Sequence, residues 1–141
     1  MLYTFTKEEV NFRLIDKLLI ISWLENSVRN EKRLSGEIAF IFCSDKYLLN
    51  INKKFLKHNY YTDIITFDYT VKKVISGDIY ISINRVLDNA KEFKATFQNE
   101  LLRVMIHGVL HLCGYTDKTK ANARKMRLKE DYYLSLYPNK K

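Results

Sequence analysis

The chain has 141 residues, 47% of them hydrophobic, and carries 24 Lys and Arg against 16 Asp and Glu, a formal charge of +8. This composition excludes a disordered polymer and suits one domain over residues 1–141 with a real hydrophobic core. The positive balance favours a polyanionic partner, nucleic acid above all, and two cysteines, Cys43 and Cys113, are too few for a disulfide framework.

The first ten residues, "MLYTFTKEEV", lack the basic start and apolar run of a secretory leader. Residues 2–5 read as a short strand. Residues 12–32 place Leu14, Leu18, Ile21 and Leu24 at helical spacing, with Trp23 and Val28 adding to the same side. The longest apolar stretch, "LLIISWL", is far short of the ~20 residues that span a bilayer. The expectation is a soluble cytoplasmic protein with no membrane partner. Residues 37–44 read as a strand and, being an uninterrupted run, as a central one apolar on both faces. Ser44 is an N-cap for a helix running to about Leu56.

Residues 62–69 and 77–83 read as two strands that pair as a hairpin, with Gly77 near the turn. Asn84 caps a helix over residues 84–93. Thr96 caps the next helix, which ends at Gly114, a residue suited to the left-handed position after a helix. A last helix covers residues 120–136 and stops before Pro138. The order β-α-β-α-β-β-α-α-α predicts an α+β (mixed α/β) domain, one small sheet of about four strands covered by helices.

The stretch "HGVLHLCGYTD" carries the chemistry. His107 and His111 lie four apart, so a helix puts both imidazoles on one face, with Cβ atoms ~5–6 Å apart. A third ligand two turns along the same helix would lie too far away. Gly114 lets the chain bend back, and Asp117 can then return a carboxylate to the same ion. Two histidines and an aspartate leave an open position for water, as in a hydrolytic zinc site. The pattern matches the opening of the metzincin signature with two substitutions: Gly108 stands where those proteases carry a catalytic Glu, and Asp117 where they carry a third His. Without the Glu, peptide hydrolysis by that route is disfavoured. The helix keeps a zincin-like metal role, because an ion there can still polarise a phosphoryl oxygen and lower the pKa of bound water to ~7. Cys113 is a rival thiolate ligand, but lies two residues past His111, rotated off the two-His face, which favours a core role.

At these residues the chain resembles the YbeY family of bacterial endoribonucleases. The family motif H-G-x-L-H-L-x-G-Y, closed by His or Asp, is met by His107, Gly108, Leu110, His111, Leu112, Gly114, Tyr115 and Asp117. Gly108 therefore belongs to the family pattern. "NKKFLKHNYYTDIITF" resembles a second family block, "GDIYIS" a third, and "NELLRVMIHG" the helix leading into the motif. The resemblance implies a small mixed sheet with surrounding helices and one zinc ion per chain. It also implies single-strand-specific cleavage of RNA in ribosomal RNA processing, at the 3′ end of the small-subunit rRNA. The implied partners are rRNA, the small ribosomal subunit and ribosomal proteins, with no nucleotide cofactor. Metal-bound water is the expected nucleophile, and no residue is assigned as its base.

Two positions depart from the usual family pattern. Asp117 replaces a third His, and its charge neutralises more of the ion's charge than an imidazole does. Leu56 stands where many members carry an Arg implicated in activity. That role then passes to Lys53, Lys54, Lys57 or His58, each also readable as a solvated surface residue, or is lost. Its loss leaves the alternative of a non-catalytic, metal-stabilised ribosome-assembly factor. Asp63 reads either as a carboxylate orienting a metal-bound His or as a strand-start cap, and Asp78 as a similar strand-start residue. The run Lys118, Lys120, Arg124, Lys125, Arg127 and Lys129 reads as a solvated helix face or a phosphate contact, opposed late by Glu130 and Asp131. The tyrosines of "DYYLSLY" could stack on unpaired bases, but their helical spacing favours the core.

Overall fold

The computed structural model describes residues 2–138, so Met1 and the last three residues of the expected domain lie outside the described residues. The elements are β1 (Tyr3–Glu8), α1 (Lys17–Asn30), β2 (Leu34–Cys43), α2 (Asp45–Leu56), β3 (Ile64–Asp68), β4 (Val74–Ser82), α3 (Ile83–Glu92), α4 (Phe97–Leu112) and α5 (Lys120–Ser135). The order is the expected one, and the class is mixed α/β. The strands form one sheet in the order β1-β2-β4-β3. β2 pairs parallel with β1 and with β4, while β3 runs antiparallel to β4 at the edge. No described helix is long and apolar enough to cross a membrane.

β2 is central, but its two faces differ. Ile38, Phe40 and Phe42 are buried on one side, while Ala39 and Ile41, pointing the other way, are only half-buried. The strand period of two sends alternate residues to a deep face and a thinly covered one. On the deep face, Phe40, Ile75, Ile79 and Ile81 pack with Leu24 of α1 and Leu101, Met105 and Val109 of α4. On the other, Cys43, Leu48 and Ile65 form a small cluster under α2.

Local chemistry sets the helix starts. The hydroxyls of Ser44, Thr96 and Thr119 accept from the backbone N–H groups of Tyr47, Asn99 and Asn122 at 3.0, 3.0 and 3.1 Å, each satisfying an orphan donor of a first turn. α1 begins at Lys17 rather than residue 12, after Asp16 in a left-handed conformation with φ 56°. Phe12 and Leu14 still pack on the core, from irregular chain. The cap of α3 is Ser82, not Asn84. β4 runs straight into the helix, so its last residue, fully buried, accepts from Arg85 N–H at 3.1 Å. Asn84 instead accepts from the backbone N–H of Asp45 at 2.8 Å, tying α3 to the start of α2.

β3 and β4 do form a hairpin, but Gly77 is not at its turn. It lies within β4 opposite Asp68, and the connection is closed by a bridge between Val71 and Val74. The glycine serves close approach: a Cβ at this position would lie 2.5 Å from the backbone oxygen of Phe67 and 2.8 Å from Cδ2 of Leu112. The end of α4 can therefore rest directly on the hairpin. Asp78, expected at a strand start, is likewise mid-strand and accepts from the hydroxyl of Tyr69 at 3.2 Å. Because the obstructing atom at Gly77 is backbone, Gly77→Ala should destabilise the fold by about 1–3 kcal/mol. Urea denaturation measures it, and an unchanged midpoint would mean that the sheet absorbs the methyl group.

Candidate functional site

α4 is buried almost all round. From Leu101 to Leu112 its half-exposed residues are Arg103, His107 and His111, one stripe at spacing four. A polar stripe on an otherwise apolar helix opens onto a cleft of about 830 Å³, within the size range of small-molecule and cofactor sites. His107, His111, Asp117, Arg103, Glu130 and Leu56 are among its walls.

The bend that returns Asp117 to the helix is a Schellman motif. Gly114, at φ +106°, donates its N–H to the carbonyl of His111 at 3.0 Å, and Tyr115 donates to that of Leu110 at 3.1 Å. Side chains from elsewhere clamp it. Arg33 donates to the carbonyl of Cys113 at 2.9 Å, and the Tyr115 hydroxyl donates to Glu31 at 2.7 Å. Glu31 also takes the hydroxyl of Tyr133 and, at 3.1 Å, the ammonium of Lys129. Burial works against its charge, but these donors hold its carboxyl below the ordinary value.

The result is a convergent donor set. Asp117 Oδ2 lies 3.3 Å from His107 Nε2 and 3.7 Å from His111 Nε2, and the three ligand atoms lie within 4.8 Å of one another. Donors of one tetrahedral ion at Zn–N distances of ~2.0–2.1 Å stand about 3.3 Å apart, so this group could hold a metal ion with little rearrangement. Cys113 takes no part: it is buried in the core, and burial pushes its thiol up to about 11.

The carboxylate behind the site is Glu130. Its Oε2 lies 2.6 Å from His107 Nδ1, while its Oε1 accepts from Arg103 Nη1 at 3.0 Å. A carboxylate paired with a guanidinium accepts only, so Nδ1 carries a hydrogen and donates to Glu130, which leaves Nε2, beside Asp117, as the nitrogen that an ion could use. Arg103 also reaches Asp131 at 2.7 Å, so α4 and α5 are tied together directly behind the ligand face. Burial acts against a charged His107, but the bond to Glu130 and the charges of Glu130, Asp117 and Asp63 outweigh it, and its pKa is raised. His111 lies below the ordinary value through burial and the charge of His107, against the pull of Asp117.

Several expected residues fall elsewhere. Asp63 lines the cleft but accepts from the amide of Asn89 at 3.3 Å; the carboxylate on the His107 ring is Glu130. Burial raises the pKa of Asp63, against the charge of His107. Leu56 and His58 face the cleft, whereas Lys53, Lys54 and Lys57 are exposed and outside its lining. The basic run that leads into and along α5 divides. Lys118 and Arg127 line the cleft, while Lys125 and Lys129 lie over the ring of Tyr115, each 5.6 Å from its centroid. Of the late tyrosines, Tyr133 is core and Tyr132 is exposed. Sequence reasoning missed Arg103, Glu130 and Glu31. Arg103 was legible as a third member of the four-residue stripe, but nothing local marks Glu130 as His107's partner 23 residues away.

The family model described as Endoribonuclease YbeY matches residues 4–137. A protein of Flavobacterium psychrophilum named Endoribonuclease YbeY is 50% identical over 129 residues, 92% of each chain. Its namesake in Cytophaga hutchinsonii is 51% identical over 133 residues, 94% of this chain and 93% of its own. Among solved structures, the solution structure of TM1509 from Thermotoga maritima is similar with a TM-score of 0.67 at 30% identity, covering 94% of this chain and 87% of that one.

The hydrogen bond that Glu130 accepts from His107 makes a specific demand on the site. Glu130→Gln should weaken zinc affinity about 10–100-fold in a chelator-competition titration, with the circular dichroism spectrum retained. Unaltered affinity would mean that His107 is held by packing alone.

Proposed function

The chain belongs to the Endoribonuclease YbeY family, and on that premise we propose that it is a metal-dependent endoribonuclease, a hydrolase cutting phosphodiester bonds inside RNA strands. The single observation that carries the metal centre is the meeting of His107 Nε2, His111 Nε2 and one Asp117 oxygen at the wall of an open cleft. Two imidazoles and a carboxylate suit zinc, and one such ion per chain would supply Lewis acidity toward a phosphoryl oxygen and lower the pKa of water.

The chain's own residues do the rest. Glu130 fixes the tautomer of His107, and Arg103 balances the buried charge of Glu130. Lys118 and Arg127 bring positive charge to the cleft and can seat the strand's phosphates. The finer reading is that the substrate is ribosomal RNA, cut where it is unpaired, in forming the 3′ end of the small-subunit rRNA. On that reading the protein works in the cytoplasm as one YbeY-like domain beside the small ribosomal subunit and its proteins, without a nucleotide cofactor. The family resemblance and the +8 charge support it.

Leu56 favours a second reading, a metal-stabilised ribosome-assembly factor that cuts nothing. It places an aliphatic side chain in the cleft wall where many family members carry an Arg. Peptide hydrolysis is disfavoured, since the place of the protease's Glu is taken by Gly108, packed on the sheet.

Cleavage of an unstructured RNA by the zinc-loaded protein tests the first reading against His111→Ala. Cleavage should fall by at least about 100-fold, as for removal of a ligand whose ion carries the charge stabilisation. Equal cleavage by both would place the activity outside this site. A zinc-loaded wild type inert on RNA, with His107→Ala lowering thermal stability, would favour the assembly factor.

A further inference from the structure

The connection between α2 and β3 is short, polar and exposed, yet it is pinned. Asn52, 1% exposed on α2, donates its side-chain amide to the carbonyl of Tyr60 at 2.9 Å. Its own backbone carbonyl accepts from His58 N–H at 3.1 Å. Between these anchors Lys57 turns the chain out of the helix at φ 56°. The two anchored residues stack their rings: His58 and Tyr60 have centroids 5.1 Å apart and planes 19° from parallel, and the Tyr60 hydroxyl meets His58 Nδ1 at 3.0 Å. The pair is not core. Tyr60 is 56% exposed, and both residues line the same cleft as His107, His111 and Asp117.

We propose that the stacked pair Tyr60 and His58 is a platform that receives an unpaired base of the RNA strand beside the metal centre. The proposal rests on the endoribonuclease reading and adds the residues that select the form of the substrate. An exposed aromatic stack held in place from its backbone is preorganised to take a further flat ring, because little freedom remains to be lost on binding. The same cleft offers Leu56 as an apolar neighbour and Lys118 and Arg127 as cations. Flat rings and cations in one groove match a ligand that alternates base faces with phosphates, which is a single strand. A duplex hides its base faces in its own stack and offers the platform nothing. Tyr61, the next residue, has its ring against the guanidinium of Arg85, 5.4 Å from the centroid, so Tyr60 is the ring presented to a base.

Binding to the full chain after chelator treatment, so that no turnover intervenes, tests this with a twelve-nucleotide oligoadenylate, alone and annealed to its complement. Tyr60→Ala should raise Kd for the single strand about 5- to 150-fold, the loss of one stacked base. It should leave duplex binding, zinc affinity and melting temperature unchanged. Tyr60→Phe, which keeps the ring, should restore most of the loss. A wild type that binds the single strand, and whose zinc-loaded form cuts it, while Tyr60→Ala binds equally well overturns the platform alone, and so does equal weakening for single strand and duplex. A wild type that binds neither overturns the platform and the endoribonuclease reading together.

Discussion

A Cβ at Gly108 would lie 2.9 Å from Cγ2 of Ile79 and 3.0 Å from Cδ1 of Ile64. The helix that carries both imidazoles therefore lies against the side chains of β3 and β4 with no side chain of its own at this point, and a methyl group there would force branched neighbours to move. Everything at the cleft depends on this close seating. It leaves the stripe of Arg103, His107 and His111 as the polar face of a buried helix, and on that face Arg103 and His107 meet Glu130 of α5. Gly77 does the same at the helix end, where Leu112 rests on β4. The glycine that replaces a protease's general base is thus a packing requirement of this sheet.

Close seating makes the site's charges expensive unless they are paired. Glu130 is 4% exposed, and an isolated carboxylate at that depth would be strongly unfavourable. Arg103 on one oxygen and His107 on the other satisfy it. The pairing does two things at once: it joins α4 to α5, and it directs one histidine nitrogen outward to the ligand face. Glu31 plays the corresponding part for the bend, gathering Tyr115, Tyr133 and Lys129 from two different segments. The face of His107, His111 and Asp117 is thereby held from behind by the buried Glu130 and from the side by the half-buried Glu31.

What was legible in the sequence was local. Ser44, Thr96, Gly114 and the His107–His111–Asp117 spacing act within a few residues of themselves, and each does in space what its pattern requires. The order of elements follows from the same short-range signals. Contacts between distant segments were not legible. Asn84 looked like a cap because it stands where helical periodicity begins, but the strand ends two residues earlier, at Ser82, and that serine is the cap. Gly77 looked like a turn residue, yet its neighbours are Phe67 and Leu112, which only the folded register supplies. Glu130 read as late opposition to a basic run because its partners, Arg103 and His107, belong to another helix.

His107, His111 and Asp117 are placed so that together they could hold one divalent ion at the cleft. Anomalous diffraction at the zinc edge, from crystals of the zinc-loaded protein, tests it most directly. One peak per chain is expected within bonding distance of His107 Nε2, His111 Nε2 and a carboxylate oxygen of Asp117, with Glu130 still on His107 Nδ1. Zinc bound elsewhere, at Cys113 or on the surface, with this triad left bare, would contradict it.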